Sequence, residues 1–350
     1  MTIGSFLVLV RREELPVHRS GVAKVVFSLP EGFTVRSVVR NTIAFALSIQ
    51  VVGAGALWWA FREAGSSRPL WDAIFHSVSA FCTAGFGLYG DSLESFRGDF
   101  WINAIVGVLS VLGAIGFLVM TDLYRRFTRR TPELTLTTRI VLWGAAAIIG
   151  GGALLLYLFE PAIRTLPPHE RAVASLFQAM SASTTVGFNT VPIAPLSEAS
   201  TALLLLLMVV GAAPAGTGGG LKITTITAVI AVVLSTLRGS TPVTFARREL
   251  PLDRVRAAVA SMGLSLMVLM IGVYLLALSE TAPLVDLAFE ATSALGTVGL
   301  SRGVTASLSP MGQLVIIALM YIGRVGPTVL AMSILTRHSP PPVGREDISV

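Results

Sequence analysis

Cysteine and charge are what this chain has least of. A single cysteine, Cys82, stands among 350 residues, so no internal disulfide and no cysteine-based zinc site can form. The four histidines, His18, His76, His169 and His338, lie far apart and match no metal-ligand spacing. Charged residues make up 13%, against about 25% in an ordinary soluble domain. With 53% hydrophobic residues and a mean hydropathy of +0.75, a soluble enzyme is excluded, and so is a disordered chain, which needs low hydrophobicity. His-Glu-x-x-His is missing and no His/Asp/Glu cluster falls within the apolar runs, so no enzyme is expected. The apolar opening Met1–Val10 is too short for a secretory leader.

Long apolar runs are what the sequence has instead. Six stretches reach the roughly 20 residues a helix needs to cross a bilayer: Asn41–Ala60, Trp101–Tyr124, Arg139–Glu160, Ser200–Leu237, Arg256–Leu278 and Met311–Leu335. The fourth is too long for one span, and Gly211-Ala-Ala-Pro-Ala-Gly-Thr-Gly-Gly-Gly220 interrupts it. No regular helix continues through glycine and proline at that density. The net charge of +6 would suggest nucleic acid in a soluble protein, but its distribution points to a membrane, and no nucleic-acid partner is expected. Arginine crowds alternate connections: Arg11, Arg12, Arg19, Arg36 and Arg40, then Arg125, Arg126, Arg129 and Arg130, then Arg238, Arg247, Arg248 and Arg254, then Arg337 and Arg345. The connections between them are mixed or acidic, as at Asp91, Glu94 and Asp99. By the positive-inside rule the arginine-rich set faces the cytoplasm, and Trp58, Trp59, Trp71 and Trp101 fall at the outer interface. A multi-pass protein of the cell (plasma or inner) membrane is expected, seated in the lipid bilayer.

This orientation leaves Trp71–Gly90 between two spans that end on the same side, so the segment must enter and leave by one face. Arg171–Asn189 and Leu284–Leu300 are placed alike, and the three are copies of one another. They read Phe75-His-Ser-Val-Ser-Ala-Phe-Cys-Thr-Ala-Gly85-Phe, Phe177-Gln-Ala-Met-Ser-Ala-Ser-Thr-Thr-Val-Gly187-Phe and Phe289-Glu-Ala-Thr-Ser-Ala-Leu-Gly-Thr-Val-Gly299-Leu. Each unit is span, short re-entrant helix, glycine turn, span. Non-helical backbone at membrane depth is tolerated where it is buried in protein or lines a watery cavity. Glycine takes backbone angles that aim successive carbonyls one way. Carbonyls around a shared axis replace the hydration shell of a cation, and the short helix adds the negative end of its dipole. A single copy would be read as a glycine C-cap on a packed helix; three copies in equivalent places favour a pore.

These three segments, the block Gly211–Thr225 and Gly323-Arg-Val-Gly-Pro327 resemble the Trk/Ktr/HKT superfamily of potassium transporters, and the Ktr-type membrane subunit in particular, over essentially the whole chain. The resemblance implies an all-α integral membrane fold of four M1–P-loop–M2 units around a pseudo-fourfold pore, of which three are visible here. It implies uptake of K+, with Na+ as a second candidate, through backbone carbonyls of Cys82, Thr83, Ala84 and Gly85, of Thr184, Thr185, Val186 and Gly187, and of Gly296, Thr297, Val298 and Gly299. It implies a gating loop beneath them, with Gly216, Thr217, Gly218, Gly219, Gly220 and Lys222, and a pore-lining cation, Arg324. The family commonly has Asn-Asn before the first Ala-Gly and Arg-Thr-Ala-Gly in the second segment; Cys82-Thr83 and Thr184-Thr-Val-Gly187 depart from that and bear on the preference for potassium over sodium. No cofactor is implied for this chain. A homodimer and a cytosolic ring of nucleotide-binding RCK/KTN regulatory subunits are.

The units run over 41–130, 131–250 (with the broken second span) and 251–350 (with a cytoplasmic tail). Residues 1–40 are expected to be the end of a truncated first unit followed by a cytoplasmic linker, because one period back from Gly85 falls before Met1. A three-quarter pore is expected not to conduct selectively, so a non-conducting remnant is one alternative. A substrate-binding secondary transporter is the other; it predicts inverted repeats, whereas these three run in one direction. Glu290 is expected to form a structural salt bridge or to meet a buried cation, His76 and Gln178, at the same repeat position, to anchor their helices, and Asp122 to be solvated.

Overall fold

The computed structural model describes residues 35–129, 132–240 and 242–330. Met1–Val10, most of the expected linker, Arg130, Arg337 and Arg345 lie outside the described residues. Ten helices carry the architecture among those described: α1 (Val35–Glu63), α2 (Pro69–Phe81), α3 (Phe100–Phe127), α4 (Leu136–Phe159), α5 (Pro168–Thr184), α6 (Glu198–Val209), α7 (Ile223–Leu237), α8 (Leu252–Ser279), α9 (Leu284–Gly296) and α10 (Pro310–Val325). A two-residue ladder, β1 (Thr244–Phe245) with β2 (Arg248–Glu249), closes the arginine-rich turn before α8.

Helix starts follow local chemistry. Asp99 accepts from the Ile102 amide to cap α3, Thr135 from Thr138 to cap α4, Ser197 from Ser200 to cap α6 and Ser309 from Gly312 to cap α10. Proline opens α2, α5 and α10, where its missing N–H costs nothing. Among the described residues four helices are long and apolar enough to cross a membrane: Thr42–Glu63 within α1, then α3, α4 and α8. The chain is a multi-pass helical membrane protein.

Three of the six expected spans are not continuous. Ser200–Leu237 is split into α6 and α7 by the loop 210–222, as its glycines require, and Met311–Leu335 is broken where Gly326 takes φ +92° at the end of α10. A third break was not expected: Gly116 sits inside α3 with φ +78° and ψ 167°. Each hairpin's second long helix therefore breaks at a glycine.

Two acidic residues tie the hairpins together at one end. Glu160, at the end of α4, accepts from the amide and hydroxyl of Ser197, the cap of α6; Glu280, at the end of α8, accepts from the amide and hydroxyl of Ser309, the cap of α10. Burial alone would raise the Glu160 carboxyl, but hydrogen bonds from Ser200, Ala162 and Ser197 outweigh it and hold it below the usual range. The Ser309 hydroxyl does the same to Glu280. A carboxyl held below its unfolded value adds stability above that value and loses it as pH falls toward the folded one. The melting temperature of the solubilised protein is therefore expected to be flat at neutral pH and to fall below the ordinary glutamate value of 4.5, with a shallower fall in Glu160→Gln.

Candidate ion pathway

The three short helices α2, α5 and α9 end in one backbone motif. Thr83, Thr185 and Thr297 take φ +48°, +59° and +50°, and Gly85, Gly187 and Gly299, two residues on, take +71°, +85° and +99°. The threonine amides donate to Ala80, Ala182 and Ala294, and the next amides to Ser79, Ser181 and Ser293. That pair of bonds is a Schellman cap. The residue in its left-handed position is the threonine, not the glycine, which corrects the reading of glycine as the cap. A β-branched residue at positive φ is a genuine outlier, and three at equivalent positions mark a place where strain is held for a purpose.

The glycines converge. A Cβ added to Gly85 would lie 2.0 Å from the Val186 carbonyl oxygen and 3.2 Å from the Gly187 Cα; one on Gly187 would lie 2.1 Å from the Val298 oxygen and 3.1 Å from the Gly299 Cα. Each glycine thus leans on the carbonyl just before the next one. A Cβ on Gly299 would come no closer to any described neighbour than 3.7 Å, the Gly187 Cα. The flanking side chains are buried in the same order. Val186 and Phe188 pack into the core of the first hairpin with Leu57, Phe61 and Leu109, and Val298 and Leu300 into that of the second with Leu204 and Met208. The equivalent Phe86 is 71% exposed, against 0% for Phe188 and 2% for Leu300.

The glycine loop sits directly against this cluster. Its neck is pinned where Gly211 N donates to Leu221 and Leu221 N to Val209. The Gly116 kink leaves α3 carbonyls without helical partners, and the loop supplies them: Ala213 N donates to Ala114, and Thr217 N to Gly113. Thr217 Oγ1 donates to the Phe81 carbonyl at the end of α2, and Gly219 N to Thr185 Oγ1 at the end of α5. A Cβ on Gly219 would lie 2.1 Å from the Gly296 oxygen at the end of α9. One loop therefore touches all three motifs. Gly216 and Gly218 are equally confined: added Cβ atoms would meet Ala114 O at 2.1 Å and Thr184 O at 2.8 Å, while Gly220 turns the chain at φ +64°.

Both candidate cations hold this loop. Lys222 Nζ donates to the Gly218 carbonyl at 2.7 Å and Arg324 Nη1 to the Thr217 carbonyl at 3.2 Å. A cavity of about 460 Å³ adjoins them, lined by the loop, Ser265 of α8, Thr292 of α9 and Arg324. Cys82, at the end of α2, is half-buried.

Other expectations change. Glu290 forms no salt bridge among the described residues: it accepts from the Ser301 and Thr305 hydroxyls and the Arg302 amide, while the Arg302 guanidinium pairs with Asp286. Asp122 is engaged rather than free, accepting from the amide and hydroxyl of Thr135, the cap of α4. The shared threonine, and the recurrence of Gly323-x-x-Gly326 as Gly113-x-x-Gly116, were visible in the sequence but unused. Cβ atoms on Gly113 and Gly323 would each lie 2.0 Å from the carbonyl four residues before the first and third glycines, Phe81 and Leu295.

The family model described as "TrkH: Cation transport protein" matches residues 31–339. Ktr system potassium uptake protein B of Bacillus subtilis is 31% identical over 340 residues, which cover 95% of this chain and 75% of that protein. Potassium/sodium uptake protein NtpJ of Enterococcus hirae is 32% identical over 345 residues, 96% of this chain and 76% of its own length. Among solved structures, the potassium transporter TrkH from Vibrio parahaemolyticus superposes with a TM-score of 0.71 at 21% identity, over 90% of this chain and 68% of that one, a likeness of fold.

Proposed function

Because the chain belongs to the TrkH family of cation transport proteins, we propose that it is the ion-translocating subunit of a Ktr/Trk-type potassium uptake system, with Cys82–Gly85, Thr184–Gly187 and Gly296–Gly299 as filter strands. The single observation that carries this is the convergence of three identically bent strands at the ends of three short helices. Their carbonyls and the helices' negative ends suit a dehydrated monovalent cation. Potassium is the cargo; sodium is a second candidate, as the printed name of the Enterococcus relative says of that protein.

In this reading the hairpins are units 41–130, 131–250 and 251–350, and a fourth of the same kind completes the ring. Two surfaces support it: the exposed Phe86, where Phe188 and Leu300 are covered, and the side of Gly299 that meets no carbonyl. Loop 210–222 is the gate, closed here, and the cavity beside it gives it room to withdraw. The arginine-rich connections face the cytoplasm of a cell-membrane protein and form the docking face for RCK/KTN-type regulatory subunits on a homodimer. The chain's work is transport, not catalysis.

The test is potassium uptake in cells stripped of their own uptake systems. Growth at low potassium that depends on this protein is expected; correct membrane insertion without potassium flux would overturn the reading. Arg324→Gln removes one charge-assisted bond from the gate, a contact worth about 1.5–3 kcal/mol when dry and less at this exposed position. Basal flux is expected to rise roughly three- to tenfold, since about 1.4 kcal/mol is tenfold; unchanged or lower flux counts against a latch.

A further inference from the structure

The position after each repeat's phenylalanine is occupied by His76, Gln178 and Glu290, all buried. Three residues further along each helix lies the shared serine, which ties the helix to its own filter strand. Ser79 Oγ donates to Phe86 O, Ser181 Oγ to Phe188 O, and Ser293 Oγ accepts from Gly299 N. Helix and strand run back along each other from that point, so the residue one turn earlier faces the strand two or three residues beyond the glycine. Glu290 shows the register, bonding the hydroxyl of Ser301 and the amide of Arg302. His76 follows it, stacking on Tyr89, with Nε2 lying 3.6 Å from where a Cβ on Gly87 would be.

The same register sets Gln178 against Asn189 and Thr190. Gln178 and Thr190 are both 0% exposed. Neither amide atom of Gln178 and not the hydroxyl of Thr190 has a hydrogen-bond partner among the described residues. Buried polar groups are almost always paired with protein or ordered water, and unpaired groups that the register sets opposite one another are what a buried water satisfies. Asn189 is meanwhile held from the other side, its amide nitrogen by Ser92 Oγ and its side chain by Glu94, so the strand cannot move over to meet Gln178 directly.

We propose that Gln178 is a positioning residue for ion selection, joined through an ordered water to Thr190 and so bracing the second filter strand from behind, as Glu290 braces the third directly. The inference rests on the filter reading above. Gln178 touches no ion; it fixes the depth of the Gly187 strand. Three variants of the full protein separate this from plain packing. Gln178→Leu keeps the volume and removes the amide, Thr190→Val removes the other end, and Gln178→Glu keeps a hydrogen-bonding group and copies position 290.

Potassium and sodium uptake are measured for each in uptake-deficient cells, beside melting of the purified protein. Expected are a K+/Na+ preference lowered about tenfold in Gln178→Leu and Thr190→Val, no further loss in the double variant, and recovery in Gln178→Glu. Gln178→Leu with unchanged ion preference overturns the brace, as does a loss that tracks lowered melting and is not recovered by glutamate. A high-resolution map of the unsubstituted protein decides it independently of transport. Solvent density within 3.2 Å of both Gln178 and Thr190 Oγ1 supports the inference, and a direct protein partner for the Gln178 amide defeats it. An unsubstituted protein that carries no potassium counts against the filter reading and leaves that map to judge the brace.

Discussion

Gly187→Ala is expected to end potassium-selective uptake. Position 187 holds φ +85°, and a Cβ there would lie 2.1 Å from the Val298 oxygen. The left-handed backbone costs an ordinary residue about 1–2 kcal/mol, and relief of the overlap must push the third strand aside or flatten the second. Either movement displaces carbonyls that, in the proposed filter, have to match an ion's hydration shell. Uptake at least about a hundredfold below the unsubstituted protein is the expected outcome, the factor that about 2.7 kcal/mol produces. Gly150→Ala is the matched control, since a Cβ there would meet nothing within 4 Å. Near-normal selective uptake by Gly187→Ala would remove Gly187 from the ion path.

The same chemical change thirty-two residues later is expected to act in the opposite direction. In Gly219→Ala the new methyl group would fall 2.1 Å from the Gly296 oxygen and 2.3 Å from Thr297 Oγ1. The α9 end is fixed by its Schellman bonds and by the buried Val298 and Leu300, so the loop must give way. Its remaining ties are then the Thr217 bond to Phe81, the amide bonds to α3 and the Arg324 contact. Basal flux is expected to rise about tenfold, the effect of about 1.4 kcal/mol on a closed–open equilibrium, with ion preference kept. Combining it with Arg324→Gln should add little once the loop is already displaced. Lower flux in Gly219→Ala would mean that the loop does not obstruct the path.

What the sequence made legible was set by repetition and hydropathy. Apolar runs located the long helices to within a few residues, and the Phe-to-Gly spacing located the three short ones. The family assignment follows from those same motifs. Single breaks inside apolar runs were harder to see. Gly116 lies in Gly-Ala-Ile-Gly-Phe-Leu-Val, which keeps helical hydropathy throughout, so hydropathy does not mark the kink; the freed carbonyls are taken up remotely, by loop amides. Gly326 was in view within Gly-Arg-Val-Gly-Pro, yet hydropathy carried the span past it. Partners of buried polar side chains were the least legible. Glu290 suggested a counter-charge, but hydroxyls and an amide from its own hairpin reach it first, because the strand returns alongside its helix.

The order in which the strands lean on one another has a mechanical meaning. Gly85 rests on a carbonyl of the second strand and Gly187 on a carbonyl of the third, so the proposed bore would behave like staves set edge to edge: each takes its seat from one neighbour and gives it to the other. Tolerances then accumulate around the circumference, and only a closed hoop returns the error to its origin. A channel wall made this way owes its calibre to circumferential closure rather than to the rigidity of any one stave.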